Sequence, residues 1–177
     1  MRTKENSNPG YKYLTTYILA TVIYDLTVKF CAHFIASYRQ KEQMTQAARS
    51  DKSNIAEGYT FQSTEGYLKL LGTACGSAQE LVEDFEDFLR QRKLQIWSKD
   101  DPRVRNFRMF RAVWVSPNFP NTPNLPNSPE EAANLLLTFC QMQTFLLKRQ
   151  MEGLRKKFIL EGGFREKLFR ERRNNLL

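Results

Sequence analysis

Apolar residues recur at helical spacing in four long stretches. From Leu14 to Tyr38, Ile18, Val22, Leu26, Phe30 and Phe34 repeat every fourth position, with Asp25 and Lys29 to one side of the stripe. This spacing predicts a first helix over Leu14 to Tyr38, a short turn near Gln40, and a second helix ending around Gly58–Gln62. In the second stretch Ala48, Asp51, Ile55 and Gly58 share one helix face, with Ala47, Ser50 and Asn54 beside them. Such a low-relief face lets another helix approach closely. Ser63 is placed to cap a third helix, and Glu65 in its first turn suits the positive end of the helix dipole. That helix runs to about Leu94 and buries Tyr67, Leu70, Leu71, Leu81, Phe85 and Phe88. Gly72, Cys75, Gly76 and Gln79, small residues three and four apart, are expected to answer the small face of helix two.

The fourth stretch opens with Ser128-Pro129-Glu130-Glu131: an N-cap serine, a proline at the first helical position and Glu131 closing a capping box. Leu136, Phe139, Cys140, Leu147, Met151, Leu154 and Phe158 form its apolar stripe, and Gly162-Gly163 ends it. A last amphipathic segment, Phe164 to Arg173, is expected to turn Phe164, Leu168 and Phe169 inward. The fold class that follows is all-α: an up-and-down antiparallel four-helix bundle over 1–161, with a basic C-terminal extension over 162–177.

An insert over 98–128 separates helices three and four, and its 116–128 portion is rich in proline and asparagine. Pro117, Pro120, Pro123, Pro126 and Pro129 recur every third residue, the period of polyproline II. At about 3.1 Å per residue, the steps from Pro117 to Pro129 would span roughly 37 Å. The repeat reads as a stiff connector holding the preceding basic segment off the bundle, ahead of a ligand for a proline-reading domain.

Composition narrows the class. The 177 residues suffice for one domain with a proper core, and 41% hydrophobic with 26% charged residues is ordinary for a globular protein. The net charge of +8 makes polyanions the first partners to consider. Cys31, Cys75 and Cys140 fall on three different predicted helices in no paired spacing, which suits buried, reduced thiols and a cytoplasmic location. Met1–Gly10 is polar and no secretory signal follows it. The run from Leu14 to Ala36 is interrupted by Asp25, Lys29 and His33, whereas a membrane span needs about 20 mostly apolar residues. A bundle helix fits better, and no membrane partner is expected.

Chemistry is sparse. The single histidine, His33, lies two helical positions from Cys31, pointing elsewhere, so the two cannot share a metal. A di-iron bundle needs Glu-x-x-His on two helices. No phosphate loop or nucleophile elbow is present in the sequence. His33 is therefore expected to be a partly buried helix residue. Glu80, Glu83, Asp84 and Asp87, with Glu86 beside them, share an acidic helix face that could seat a hard cation but reads first as solvated, or as pairing with a neighbouring subunit. Asn54 and Glu57, one turn apart, are expected to set helix register or cap backbone groups. The expectation is no catalytic residue, no metal and no cofactor.

The positive charge is uneven. Arg103, Arg105, Arg108 and Arg111 stand in a window without an acid, and Lys148 to Arg173 holds ten lysines and arginines against Glu152, Glu161, Glu166 and Glu171. These windows carry ten net positive charges, so the rest of the chain is at −2. In the first, Val104, Phe107, Phe110 and Trp114 face one way along a short amphipathic helix. Interleaved arginines and aromatics suit single-stranded nucleic acid, with phosphates on guanidinium groups and bases on rings. The same aromatics could instead dock on the bundle. In the second window Glu152 can pair with Lys156 and Glu166 with Arg170, which leaves Lys148, Arg149, Arg155 and Lys157 as the better phosphate ligands.

Ser53-Asn54-Ile55-Ala56-Glu57-Gly58 and Gly76-Ser77-Ala78-Gln79-Glu80-Leu81, with Ala47, Ala48 and Gly72, resemble the four-helix-bundle family of proteins encoded in intervening sequences of large-subunit ribosomal RNA genes. The resemblance begins at Tyr11-Lys12-Tyr13-Leu14, runs through Ile23-Tyr24-Asp25-Leu26-Thr27, and resumes after Pro129. It looks closest to a subgroup with a C-terminal extension, here Glu161-Gly162-Gly163-Phe164. Thr45 and Gln46 stand where many members carry two basic residues, so no charge-based role is transferred to that position. The resemblance implies a ring-shaped homopentamer, and a related accessory protein of diversity-generating retroelements binds a reverse transcriptase and nucleic acid. Five copies would carry a formal charge of +40, five times the +8 of one chain, which calls for a neutralising polyanion. The leading expectation is a non-catalytic basic accessory protein that binds RNA or single-stranded DNA and assists a nucleic-acid enzyme. Its rival is a structural or protein-interaction bundle. A third reading, a helical ribonuclease of the higher eukaryote and prokaryote nucleotide-binding class, lacks the arginine that such enzymes place shortly before a histidine, since only Arg2 precedes His33.

Overall fold

A computed structural model of the protein describes residues 10–116 and 119–174. Arg2, Pro117 and the side chain of Phe164, which enter the expectations above, lie outside what is described. A 3-10 turn at Tyr11–Tyr13 leads into α1 (Thr15–Phe34), α2 (Tyr38–Thr60), α3 (Thr64–Gln91), α4 (Pro102–Arg108), the short strands β1 (Trp114–Ser116) and β2 (Phe119–Pro120), α5 (Pro129–Glu161) and α6 (Phe164–Asn174). The four long helices pack in the cyclic order α1, α2, α3, α5 and back to α1. This is the all-α bundle expected.

Local chemistry sets most of the boundaries. The Ser63 hydroxyl accepts the Gly66 N–H at 3.1 Å, and Ser128 accepts the Glu131 N–H at 3.5 Å behind Pro129. Gly162, at φ 77°, stops α5 in a conformation that side chains with a Cβ resist. The α1–α2 corner departs from expectation. Helix α1 ends at Phe34, because Ile35 leaves the helix to bury its side chain, and Ser37 caps α2 by accepting the Gln40 N–H.

Phe30 centres the main core, with ring contacts to Phe34, Phe85 and Phe88 at 5.2, 5.1 and 4.8 Å. Ile18, Val22, Leu26 and Phe30 are buried as the stripe predicts, and Phe34 is half-buried. A second cluster gathers Ala20, Ile55, Leu71, Ala74 and Leu147. By length and composition α1 could cross a membrane, but in this fold its apolar stripe lies inside the bundle.

The small-residue faces behave unequally. On α2, Ala47, Ala48, Asp51, Ile55 and Gly58 are all buried. A Cβ on Gly58 would sit 2.7 Å from the Tyr67 ring and 3.2 Å from Leu70 Cβ, so α2 and α3 meet there at a distance only glycine allows. On α3 the expected match fails. Gly72 and Gly76 are exposed with no atom within 4 Å of an added Cβ, and α3 presents Leu71, Ala74, Ser77, Ala78 and Leu81 inward instead. In α6, Leu168 and Phe169 are exposed, contrary to the inward packing expected.

Candidate nucleic-acid interface

The segment after α3 is stapled to α5. Asn134, buried on α5, accepts the Trp97 backbone N–H at 2.9 Å and donates to the carbonyls of Gln95 and Glu130 at 2.9 and 2.8 Å. The Trp97 indole N–H donates to Glu130 at 2.9 Å. Asp101 then starts α4 by accepting the Arg103 N–H, with Pro102 in the first turn. Val104 is buried, Phe107 stacks on Trp97 at 6.2 Å, and Phe110 packs on Phe139 at 4.9 Å. Beyond α4, Ala112 is buried and the Trp114 indole donates to the Lys12 carbonyl. The aromatics of this window therefore dock on the bundle, which settles the alternative left open by their spacing.

The proline repeat does not hold this segment away from the bundle. The chain doubles back in an antiparallel pair that sets Trp114 opposite Pro120, and Leu125 packs against the core. Pro126 lies with Asn124 and Asn127 beside Lys29, His33 and Phe34 at the end of α1. His33 itself is exposed, not partly buried, and its Nδ1 lies 2.7 Å from the Lys29 carbonyl.

With the aromatics inward, the guanidinium groups of α4 point to solvent, in three different settings. Arg103 makes a two-pronged pair with Asp101 at 2.8 and 3.0 Å, and its guanidinium lies 3.4 Å over the Trp97 ring. Its hydrogen bonds hold the Asp101 carboxyl below the usual carboxylate range. Its charge is thus answered at home. Arg105 has a loose partner, Asp100, at 3.6 Å with both side chains exposed, a pair of little strength in water. Arg108 and Arg111 are exposed and form no ion pair among the described residues.

The α5 cations are all exposed. Glu152 pairs with Lys156 at 2.8 Å as its spacing predicts. Glu166 instead accepts the Gly163 N–H at 2.9 Å, and no pair with Arg170 forms. The charge of Lys148 acts on the Cys75 thiol of α3, lowering its pKa against the larger effect of burial, whereas Arg149 lies 5.8 Å from the centre of the Phe145 ring. Arg155 and Lys157 continue along the helix without ion pairs among the described residues. Between α4 and α5, Arg108, Gln141, Met142, Phe145 and Leu146 line a cavity of about 490 Å³. Arg108 thus lines the same cavity as the exposed Phe145 ring, which Arg149 approaches from one turn further along α5. Arg103 is set apart, close to Glu130 and Glu131 at the start of α5.

Phe145 escaped the sequence reading. At 3.6 residues per turn it falls opposite the Leu136–Leu147 stripe, so the signal was an aromatic on the wrong face of an amphipathic helix.

The remaining polar groups are internal or dispersed. Ser77 donates to Ser50 at 2.9 Å, joining α3 to α2, and half-buried Asn54 donates to Ser50 within α2, while Glu57 is exposed. Asp51 is fully buried, and its Oδ1 accepts from Gln143 Nε2 at 3.2 Å. Burial pushes its carboxyl up to about 8. Cys31 and Cys140 are buried and Cys75 is half-buried, and burial raises all three thiols, Cys31 to about 11. Among the described residues no group of His, Cys, Asp and Glu is arranged to hold a metal. On the acidic face of α3, burial and then Glu80 and Asp87 raise the Asp84 carboxyl.

No curated protein matches the chain, and no solved structure does. A family model does, over the segment from the N-terminal 3-10 turn through α3 to Lys99, which contains the buried face of α2, the tight Gly58 crossing and the Gly76–Leu81 run. Over residues 13–99 the chain matches the model of the 23S rRNA-intervening sequence protein family.

Proposed function

We propose that this protein is a non-catalytic, basic nucleic-acid-binding bundle that takes RNA or single-stranded DNA by phosphate contact along α4 and the outer face of α5. One observation carries the reading: Arg108 and Arg149, from two separate elements, border the same patch, and neither has an acidic partner within ion-pair distance. Arg111, Arg155 and Lys157 are further exposed cations without an ion pair among the described residues. The family description names ribosomal RNA, which makes RNA the first polymer to test. In its fuller form the proposal has the protein assist a nucleic-acid enzyme such as a reverse transcriptase.

The test is affinity against salt. On a single strand, log K falls by about 0.7 per tenfold rise in salt for each phosphate neutralised. Replacing Arg108 and Arg149 with alanine together should weaken binding and flatten the slope by about 1.4. Arg103→Ala should leave the slope unchanged, because that charge is already satisfied. Absence of any salt-dependent affinity for RNA or single-stranded DNA would overturn the proposal.

A second reading, self-association, is favoured by the open surface at Gly72 and Gly76 and by Ile159 and Leu160, which are 79% and 84% exposed near the end of α5. Light scattering coupled to size exclusion, with and without RNA, separates it from the first.

A further inference from the structure

Phosphate contacts alone would bind any polyanion, but the surface between α4 and α5 has a second chemistry. Its cavity of about 490 Å³ is walled mainly by Met142, Phe145 and Leu146, with Arg108 and Gln141 supplying the polar groups. Its size is that of a small-ligand site, roughly 300–1,000 Å³. Phe145 keeps 58% of its surface exposed, although Thr144 and Leu147 around it are buried. With Met142 and Leu146 the Phe145 ring makes a contiguous apolar patch rimmed by Arg108 and Gln141, the kind of surface that marks a binding groove. One turn further on, the Arg149 guanidinium lies within cation–π range of that ring.

These features together restrict the occupant. A free phosphate needs the arginines and has no use for an apolar floor. A greasy ligand needs the floor and would leave two guanidinium groups unanswered. An unpaired nucleotide answers both, because it joins a flat, weakly polar ring to an anionic backbone. Gln141, with one carbonyl and one amide group, can meet either donors or acceptors on a base edge. A duplex keeps its bases inside the stack and offers no ring to Phe145.

We infer that this cavity is a stacking site for one unpaired nucleobase of a single-stranded nucleic acid, with Phe145 beneath the base and Arg108 and Arg149 on the flanking phosphates. The inference rests on the nucleic-acid reading above and specifies its ligand. Every base has a π face, so the site discriminates single strand from duplex more than one base from another.

The experiment compares three 12-nucleotide DNA probes: a single strand carrying one 2-aminopurine, its duplex, and a strand of the same length built from abasic sugars. Binding of the first should quench the 2-aminopurine emission. Phe145→Ala should weaken it about 5- to 150-fold, the range for loss of one base–aromatic stack, with the salt slope unchanged. Phe145→Trp should restore binding. The abasic strand should bind the unmodified protein more weakly, by a similar factor, and should not respond to Phe145→Ala. Thermal melts of both variants verify the fold, which an exposed side chain should leave intact. If the abasic strand binds as tightly as the base-bearing one and Phe145→Ala changes nothing while the salt dependence persists, the stacking site is refuted and the phosphate reading stands. If neither single strand binds, both fall.

Discussion

Replacing Asp51 with asparagine should stabilise the protein near neutral pH and remove much of its pH dependence. Asp51 sits on α2 with no exposed surface, facing α5. Gln143 Nε2 donates to its Oδ1 at 3.2 Å and to the Thr16 carbonyl at 3.0 Å. Asp51 Oδ2 and Gln143 Oε1 are both buried without a hydrogen-bond partner, and no cation offsets the carboxylate. The titratable neighbours are Cys140 on α5 and Cys75 on α3, both thiols held protonated by burial. A protonated Asp51 supplies the missing donor on Oδ2, and an acceptor without one stands on Gln143. The carboxyl moves from its ordinary 3.8 to about 8 on folding, so the folded chain holds an extra proton between those values. The associated stability is fully present below about pH 4 and falls by roughly 1.4 kcal/mol per pH unit up to about pH 8. At pH 7 the loss amounts to about 4 kcal/mol. Asparagine is neutral throughout, and its amide can donate where the protonated acid would. Urea unfolding of both proteins, followed by far-ultraviolet circular dichroism from acid to mildly alkaline pH, gives the difference curve. Subtraction cancels Asp25, Asp84 and Glu86, whose carboxyls desolvation also raises. A difference that is flat, or that favours the natural protein increasingly as pH rises, would show that Asp51 is ionised in the fold.

Three further outcomes follow from the geometry. Asn134→Ala strands the Trp97 N–H and the Gln95 carbonyl, and should cost about 3 kcal/mol in denaturant unfolding. Phe30→Ala should cost about 3–5 kcal/mol by the same measurement, since the ring contacts three other aromatics at the centre of the core. Gly76→Ala, in open space on a helix, should raise the melting temperature through a gain of about 1 kcal/mol, and a loss there would mean that the outward face of α3 is in fact covered.

The elements easiest to read from sequence were those governed by nearest neighbours. Ser63, Ser128 and Gly162 mark helix ends through bonds or dihedrals confined to one turn, and they do so in the structure. What spacing could not supply was direction. Glycines three and four apart place Gly72 and Gly76 on one side of α3, but nothing in the repeat says whether that side faces in. Ile35 looked like helix because burial and helicity usually coincide, and here the side chain is buried by a bend. At the interface, a charge window beginning at Arg103 left out Asp100 and Asp101, which answer Arg105 and Arg103. Arg108 and Phe145 line one cavity although they are far apart in the chain, and no local pattern announces it.

Helix α5 has 33 residues, while α1 has 20, so its last turns have little of the bundle to lean on. Past Leu154 every side chain up to Glu161 is exposed except Phe158, which is half-buried. That stretch is held mainly by its own backbone ladder, the condition under which amide protons exchange by local fraying and not by global opening. A trypsin-like protease would meet Arg155, Lys156 and Lys157 there, and one nick would release α6 with the hydrophobic core untouched.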